Sequence, residues 1–481
     1  MCLVSPQDRM ESRRPPLALL ILASYLDTQG FDSVIIDAKV KPEEYSPFVC
    51  SEIKRIRPLA VGLTAFSHEI KETLELARKI KSAANCTIIV GGNHATYHPE
   101  DFIFKGSPID YVVIGEGEKT FSELLSAIPG GEAHAVKSIA YYKNRLIKTE
   151  QRELMDINEL PIPQFDKIDM DYYTRPQAYG IRYLPFSMFW IFTTRGCPWN
   201  CTFCSIPDIW KHNKNIRKIR YRDVKLVVDE AEMLIKKYKI DALYFYDDDF
   251  CVWRQRVIDL CQEIERRGLK FIWGCETRVD EVDDELARIM ADAGCVQIDF
   301  GVESGSQRSL DAIRKELTVE QIKEAFRVCR KYGIRTFANF MFNFPDETES
   351  DVQQTFEVAK EIRATVVSCG ILTPFLGSAI FNELKMKIGD YSVYKMATSE
   401  MHAPFRLAKH DLDMDDLVVR MVKSYNGVLN TVAHRSFGKY IKCVLKSKRR
   451  GEYIEAYREL AAYYFRSRLP DLKKGRLSRT K

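Results

Sequence analysis

The chain has 481 residues, 46% of them hydrophobic and 29% charged, a composition that excludes wholesale disorder and a polytopic membrane protein. Its length suggests about three domains. Lys and Arg number 72 against 67 Asp and Glu, too even a balance for a polyanion-binding protein, and the basic excess is local: residues 435–481 hold fifteen basic and four acidic side chains.

Arg13 and Arg14 precede the apolar run PPLALLILASYL, a pattern shared with signal peptides. The run is shorter than the ~20 residues that span a bilayer and has no small-residue cleavage site. It reads as a first helix from Leu17 to Thr28, stopped by Gly30. A strand, CLVS, precedes it. Then β-branched runs alternate with helical stretches: SVIIDA, a helix near Glu43 to Arg57, LAVGLTA, HEIKETLELARKIKSA, CTIIVGG, a short helix after Pro99, and YVVIGEGE before a last short helix. Alternation with near-continuous apolar strands predicts a doubly wound, Rossmann-like parallel sheet over 1–130. Ligands of such sheets sit beyond the carboxyl ends of the strands, so Thr64, Gly91, Gly92, His94, Gly115, Glu116 and Gly117 are expected on one binding rim.

Residues 131–182 change texture, SIAYYKNRLIKTE leading into the proline-bearing NELPIPQFDKID, and read as a linker. Over 183–378 the alternation resumes. FWIFTTR, ALYFYDDDF, KFIWGCETRV, VQIDFGVES, RTFANFMFNF and TVVSCGILTPF are strands, with helices at Val224–Tyr238, Arg254–Arg267, Asp283–Ala293, Thr318–Tyr332 and Glu349–Ile362. Six units fall short of the eight of a closed barrel, so an open (β/α)6 partial TIM barrel is expected. Residues 379–481 read as a helical, basic C-terminal extension, which completes an α/β fold class. Its segment EYIEAYRELAAYYFRSRL puts Tyr453, Tyr457, Leu460, Ala461, Tyr464 and Phe465 near one face. That face suits a helix packed on the barrel or one lying on an anionic membrane.

Thirteen cysteines are an odd number in a chain too long for a disulfide scaffold, and most sit singly in apolar segments, as thiols of a reducing compartment such as the cytoplasm do. Only Cys197, Cys201 and Cys204 cluster, in GCPWNCTFC directly after the strand ending at Thr193-Thr194-Arg195. Three thiolates on one loop can hold three corners of a 4Fe-4S cluster and leave the fourth iron open. A zinc site with a remote fourth ligand such as His212 is the alternative, though no second cysteine pair at ligand spacing exists in the chain.

This loop resembles the cluster motif of the radical S-adenosylmethionine superfamily. FYDDDF, WGCETR, GVESGS and TPFLG resemble strand-end signatures of the branch whose barrel follows a cobalamin-binding domain, and GGNHATYHPE and IGEGE resemble that domain. The resemblance spans residues 1 to about 380. It implies a 4Fe-4S cluster on Cys197, Cys201 and Cys204 that binds S-adenosylmethionine and cleaves it to a 5′-deoxyadenosyl radical, with cobalamin between the two domains. It implies cofactor contacts for Phe203, near the adenine, and for Glu303 and Ser304, near ribose or amino groups. Arg278 would pair with a carboxylate. Asp247 and Asp249 would face the barrel mouth if strand alternation continues through the acidic run.

MFNFPDET carries Asn343 and Asp346 where the family usually has glycine. Asn and Asp best tolerate a left-handed backbone, so the turn is expected to survive with Asn343 near the cofactor. No D-x-H-x-x-G occurs in the first domain. No histidine of that motif is therefore offered to cobalt, and His94 is expected against the nucleotide tail or as a structural turn residue.

The implied reaction is methylation of an unactivated carbon of a small-molecule, lipid or tetrapyrrole-like substrate. Oxidative cyclisation or rearrangement with the same cofactors, a radical enzyme whose first domain has lost cobalamin, and an iron-sulfur electron carrier are the alternatives. A flavodoxin or ferredoxin is the expected electron donor, and confinement of the basic run to the tail speaks against nucleic acid.

Overall fold

The computed structural model describes residues 1–5, 13–37, 44–206, 219–384, 406–424 and most of 430–461. The first sheet runs in the order β2-β1-β3-β4-β5-β6-β7. Strands β1 (Cys2–Val4), β2 (Val34–Ile36), β3 (Ala60–Thr64), β4 (Thr87–Gly91) and β5 (Tyr111–Val113) are parallel. Alternation along β1 sends Cys2 and Val4 into one core and Leu3 into the other. Helices α1 (Leu17–Thr28) and α5 (Glu118–Ala127) cover the Leu3 face, and α2 (Tyr45–Ile56) and α3 (Ile70–Ala83) the opposite one. This is the doubly wound arrangement expected. Gly30 ends α1 at φ 84°, as the sequence predicts.

Two local expectations change. The helix placed after Pro99 is a single 3-10 turn, Pro99–Asp101, preceded by α4 (Asn93–Tyr97). Residues 131–182 are also not a linker throughout. β6 (Ile139–Tyr142) and β7 (Leu146–Lys148) form a hairpin that adds antiparallel to β5, because Ile139, Ala140 and Tyr141 are apolar enough to be buried on the sheet. Only the chain after it crosses to the second unit, where Phe165 and Tyr173 are buried.

The second unit is a six-stranded parallel sheet in chain order: β8 (Met188–Ile191), then β11 (Ala242–Phe245), β12 (Ile272–Thr277), β13 (Cys295–Glu303), β14 (Arg335–Phe342) and β15 (Val366–Ile371). Helices Val224–Tyr238, Arg254–Arg266, Asp284–Asp292, Val319–Tyr332 and Glu349–Ile362 connect them, as expected of an open barrel. A short ribbon, β9 (Thr194–Arg195) against β10 (Arg220–Tyr221), stands at the carboxyl end of β8.

The C-terminal residues cover the barrel. Helix Met414–Lys423 buries Met414, Leu417, Val418 and Met421 beside β14 and β15. Helix Phe437–Lys446 sets Tyr440 edge-on to Phe186 at 4.9 Å. The buried Tyr453 hydroxyl donates to Asp241 at 2.7 Å and accepts the Ser187 N–H at 3.0 Å. Tyr453 therefore takes the packed course; Tyr464 and Phe465 lie outside the described residues. No helix among the described residues is long and apolar enough to cross a membrane.

Candidate functional site

The cysteine loop is fixed before it begins. Past β8, the backbone N–H groups of Thr193 and Thr194 donate to one oxygen of Asp247 at 2.6 and 2.8 Å, and the Thr193 hydroxyl donates to the other. Mid-loop, the Thr202 N–H donates to the Ile313 carbonyl and the Thr202 carbonyl accepts from Ile380, both at 2.9 Å. Trp199, to which no sequence signal pointed, is clamped on two sides. Its indole N–H donates to Asp249 at 2.8 Å, and its ring lies 3.7 Å from the Arg278 guanidinium.

Cys197, Cys201 and Cys204 are partly exposed and unbridged. Desolvation by the surrounding protein pushes the Cys197 thiol up to about 12 and the Cys204 thiol to about 11, and raises Cys201. Against this, the N–H of Trp199 is aimed at Cys197, that of Ile206 at Cys204, and the charges of Lys315 and Arg278 act on Cys201. These donors and cations only partly offset burial; it is the three unbridged cysteines on one loop that fit three corners of an iron-sulfur cluster. Among the described residues no three His, Cys, Asp or Glu side chains converge as ligands of one metal ion. The thiolates of a cubic cluster bind separate irons and have no need to converge. His212 lies outside the described residues.

Glu303 closes β13 in a left-handed conformation, φ 64°, after a register shift beginning at Gly301. Its carboxylate accepts from the buried Lys315 ammonium at 2.8 Å. A Cβ at position 301 would stand 2.5 Å from Glu303 Oε1 and 3.0 Å from Lys315 Nζ, so Gly301 makes room for the pair. Lys315, close enough to Cys201 to act on its thiol, is another residue the sequence did not mark.

Several residues expected at the cofactors also make contacts within the protein. β11 ends at Phe245, so alternation does not carry into the acidic run. Asp247 and Asp249 are buried and hold the loop, while Asp248 is exposed beside Cys197 and Cys204. Crowding by protein around this open carboxyl, together with the charge of Asp247, pushes it up to about 6. Arg278 is used by both oxygens of Asp280, each at 2.9 Å, and by the carbonyls of Lys315 and Glu316 at 2.7 and 3.2 Å. The Ser304 hydroxyl lies between the Thr355 hydroxyl at 3.0 Å and the Ser306 N–H at 3.1 Å. Phe203 packs with Ile313, Phe344, Leu372 and Ile380. Asn343 and Asp346 adopt φ 74° and 61°, so the turn survives as expected. The Asn343 side chain, however, binds the Leu372 carbonyl at 3.0 Å and the N–H groups of Leu407 and Ala408 at 2.7 and 3.3 Å, which ties down residues 406–408.

On the first rim, His94 is buried with its ring nitrogens 3.0 Å from the Ser67 hydroxyl and 2.9 Å from Asp101, the geometry of a structural turn histidine. A Cβ on Gly92, φ 102°, would stand 2.7 Å from Thr64 Oγ1, which packs the loops after β3 and β4 together. Gly115 borders open space, a Cβ on Gly91 would meet only Val113 at 4.0 Å, Gly117 leads into α5, and Phe66 lies 48% exposed on the same rim, stacked on His68. An open cradle with an exposed aromatic fits a large, partly apolar ligand such as a corrinoid. Glu116 binds Arg220 at 2.5 and 2.8 Å and Arg195 at 3.3 Å, while Glu118 binds Arg195 at 2.5 Å. The Tyr97 hydroxyl donates to the Ser205 carbonyl at 2.7 Å. The rim therefore abuts the cysteine loop.

Comparison with known proteins agrees with this arrangement. The family model of the Radical SAM superfamily matches residues 191–359, and that of the B12 binding domain matches 9–125. An uncharacterized methyltransferase of Pyrococcus horikoshii is 32% identical over 371 residues, covering 76% of this chain and 78% of its own. The anaerobic magnesium-protoporphyrin IX monomethyl ester cyclase of Rubrivivax gelatinosus is 29% identical over 85% of this chain and 73% of its own. In fold, the chain is similar to TsrM of Kitasatospora setae, a radical S-adenosylmethionine methyltransferase solved with cobalamin and a [4Fe-4S] cluster, with a TM-score of 0.66 and 20% identity over 79% of this chain and 74% of that one. With both family models matched in the order the fold displays, the chain belongs to the radical S-adenosylmethionine superfamily, in the branch whose barrel follows a B12-binding domain.

Proposed function

We propose that the protein methylates an unactivated carbon of a small-molecule substrate, using a 4Fe-4S cluster on Cys197, Cys201 and Cys204, S-adenosylmethionine and cobalamin. One observation carries this reading: the carboxyl edge of the first sheet is fastened to the cysteine loop through Tyr97, Glu116 and Glu118. A corrinoid cradled on that edge would face S-adenosylmethionine at the loop. When bound, the cluster supplies the electron that cleaves S-adenosylmethionine and the corrinoid supplies the methyl group. The chain's own part is to hold and orient. Asp247 and Asp249 fix the loop, Glu303 and Lys315 stand beside Cys201, and Asp248 and Glu276 present carboxyl groups within electrostatic reach of each other. The reductant is a flavodoxin or ferredoxin in the cytoplasm, and the basic tail is the part that would meet an anionic membrane.

The similarity to the methyltransferase of Pyrococcus horikoshii supports methylation, and the similarity to the cyclase supports oxidative ring closure as a second reading. The test is anaerobic purification from cells supplied with cobalamin, followed by incubation with reductant, S-adenosylmethionine and a panel of candidate substrates. Methylation gives about four irons and one corrinoid per chain, with 5′-deoxyadenosine and S-adenosylhomocysteine formed together. 5′-Deoxyadenosine with product but no S-adenosylhomocysteine marks cyclisation. Iron without corrinoid leaves the first domain a scaffold, and absence of 5′-deoxyadenosine overturns the radical reading.

A further inference from the structure

Tyr97 belongs to the first unit, yet its hydroxyl binds the barrel at Ser205, the residue after Cys204. Its ring lies on Gly377, where a Cβ would stand 2.4–2.8 Å from three ring atoms, so a larger residue there would push the ring away. At the other end of the loop, Arg195 stands two residues before Cys197 and gives its guanidinium to Glu118 and Glu116. Arg220, paired with Arg195 across the β9–β10 ribbon, grips Glu116 through both terminal nitrogens. Tyr97 is on the helix leaving β4, and the two glutamates are on the segment leaving β5. Neighbouring rim segments of one sheet thus hold opposite ends of the cysteine loop.

The grip at Arg195 is stiff. Glu118 is 5% exposed; burial alone would raise its carboxyl, but the charge and hydrogen bond of Arg195 outweigh burial and hold it below the usual range. Arg195 gives one terminal nitrogen to each glutamate, and the Arg220–Glu116 contact beside it is forked, so these charge-assisted contacts define direction as well as distance. None of the five side chains needs to touch a reacting atom to matter, because a misplacement of about 1 Å between reacting groups can cost on the order of 100-fold in rate.

We propose that Tyr97 and the Glu116–Glu118–Arg195–Arg220 group are positioning residues that set the separation and orientation of the cluster relative to a corrinoid on the first sheet. This rests on the functional reading above. The test uses the full chain reconstituted with iron and sulfide, loaded with hydroxocobalamin and reduced to cob(II)alamin. Electron paramagnetic resonance then reads the relaxation enhancement of cob(II)alamin by the reduced cluster, a quantity that depends steeply on the distance between the two spins.

Tyr97→Phe keeps the ring on Gly377 and removes one hydrogen bond, and Glu118→Gln keeps shape and removes charge. Both are expected to retain wild-type iron and corrinoid content while the enhancement shifts outside the scatter of wild-type samples. Arg195→Lys, which keeps the charge and loses the second nitrogen that reaches Glu116, should give a smaller shift of the same sign. Full cofactor content with unchanged enhancement in all three variants would overturn the inference. Failure of the wild-type protein to take up corrinoid would overturn the functional reading itself, and the inference with it.

Discussion

The Arg278 guanidinium lies 3.7 Å from the centre of the Trp199 ring, inside the three-residue gap of the cysteine loop between Cys197 and Cys201. A desolvated cation–π contact is worth about 2 kcal/mol, and Arg278 also serves two backbone carbonyls that lysine cannot bridge together. Arg278→Lys is therefore expected to lower stability by ~2–4 kcal/mol in a denaturant titration and to speed iron loss to a chelator. An unchanged chelation rate would show that the stack does not hold the loop.

Replacing Cys197, Cys201 or Cys204 singly by alanine should reduce bound iron to background while the far-ultraviolet circular dichroism is retained, since all three sit on a loop and are unbridged. Cys86→Ala, in the first unit's core, should keep its iron and lose stability instead. Iron loss from the Cys86 variant, or retention in any loop variant, would contradict the assignment.

Glu276 and Asp299 are neighbours in the register of β12 and β13. Burial, helped by the charge of Asp299, raises Glu276 to about 7, and burial raises Asp299 to about 6. A carboxyl raised in the folded state supports folding fully below its unfolded value of 4.5, and that support is lost as pH climbs through about 7. Relative to Glu276→Gln, the wild-type protein should lose up to ~3 kcal/mol of stability between roughly pH 4.5 and pH 8. Urea midpoints that run parallel for the two proteins across this range would refute it.

These cases show how far the sequence reaches. The Cys197–Cys204 spacing, the alternation of strands and helices, and the left-handed turns at Asn343 and Asp346 follow from local chemistry, and the structure displays them. The partners of Asp247 and Asp249 do not follow from alternation, because pairing stops at Phe245 and where a strand ends is set by its neighbours. The occupation of Arg278, Glu116 and His94 depends on groups brought in from elsewhere in the fold. Glu116 meets Arg220 across 104 positions, and no local pattern announces such a pair. Trp199 gave no signal of its own, because its partners Asp249 and Arg278 come from 50 and 79 positions away.

Tyr453→Phe removes the hydroxyl that serves both Asp241 and the buried Ser187 N–H. An unsatisfied buried donor costs about 1–3 kcal/mol, so stability should fall by that amount and residues 451–458 should become protease-sensitive. Wild-type protease resistance in the variant would mean that this contact does not fasten the C-terminal helix to the barrel.

The β6–β7 hairpin bears on where the first unit can be separated from the second. A fragment cut at residue 130 would strip β6 from β5 and leave the backbone beside Val112 and Val113 as an open edge, ready to recruit a strand from another copy. Cut near residue 150, the fragment keeps β7, a three-residue strand ending in Lys148, as its border. The seam at which this unit can be exchanged between barrels, by recombination or by engineering, therefore lies after the hairpin and not after α5.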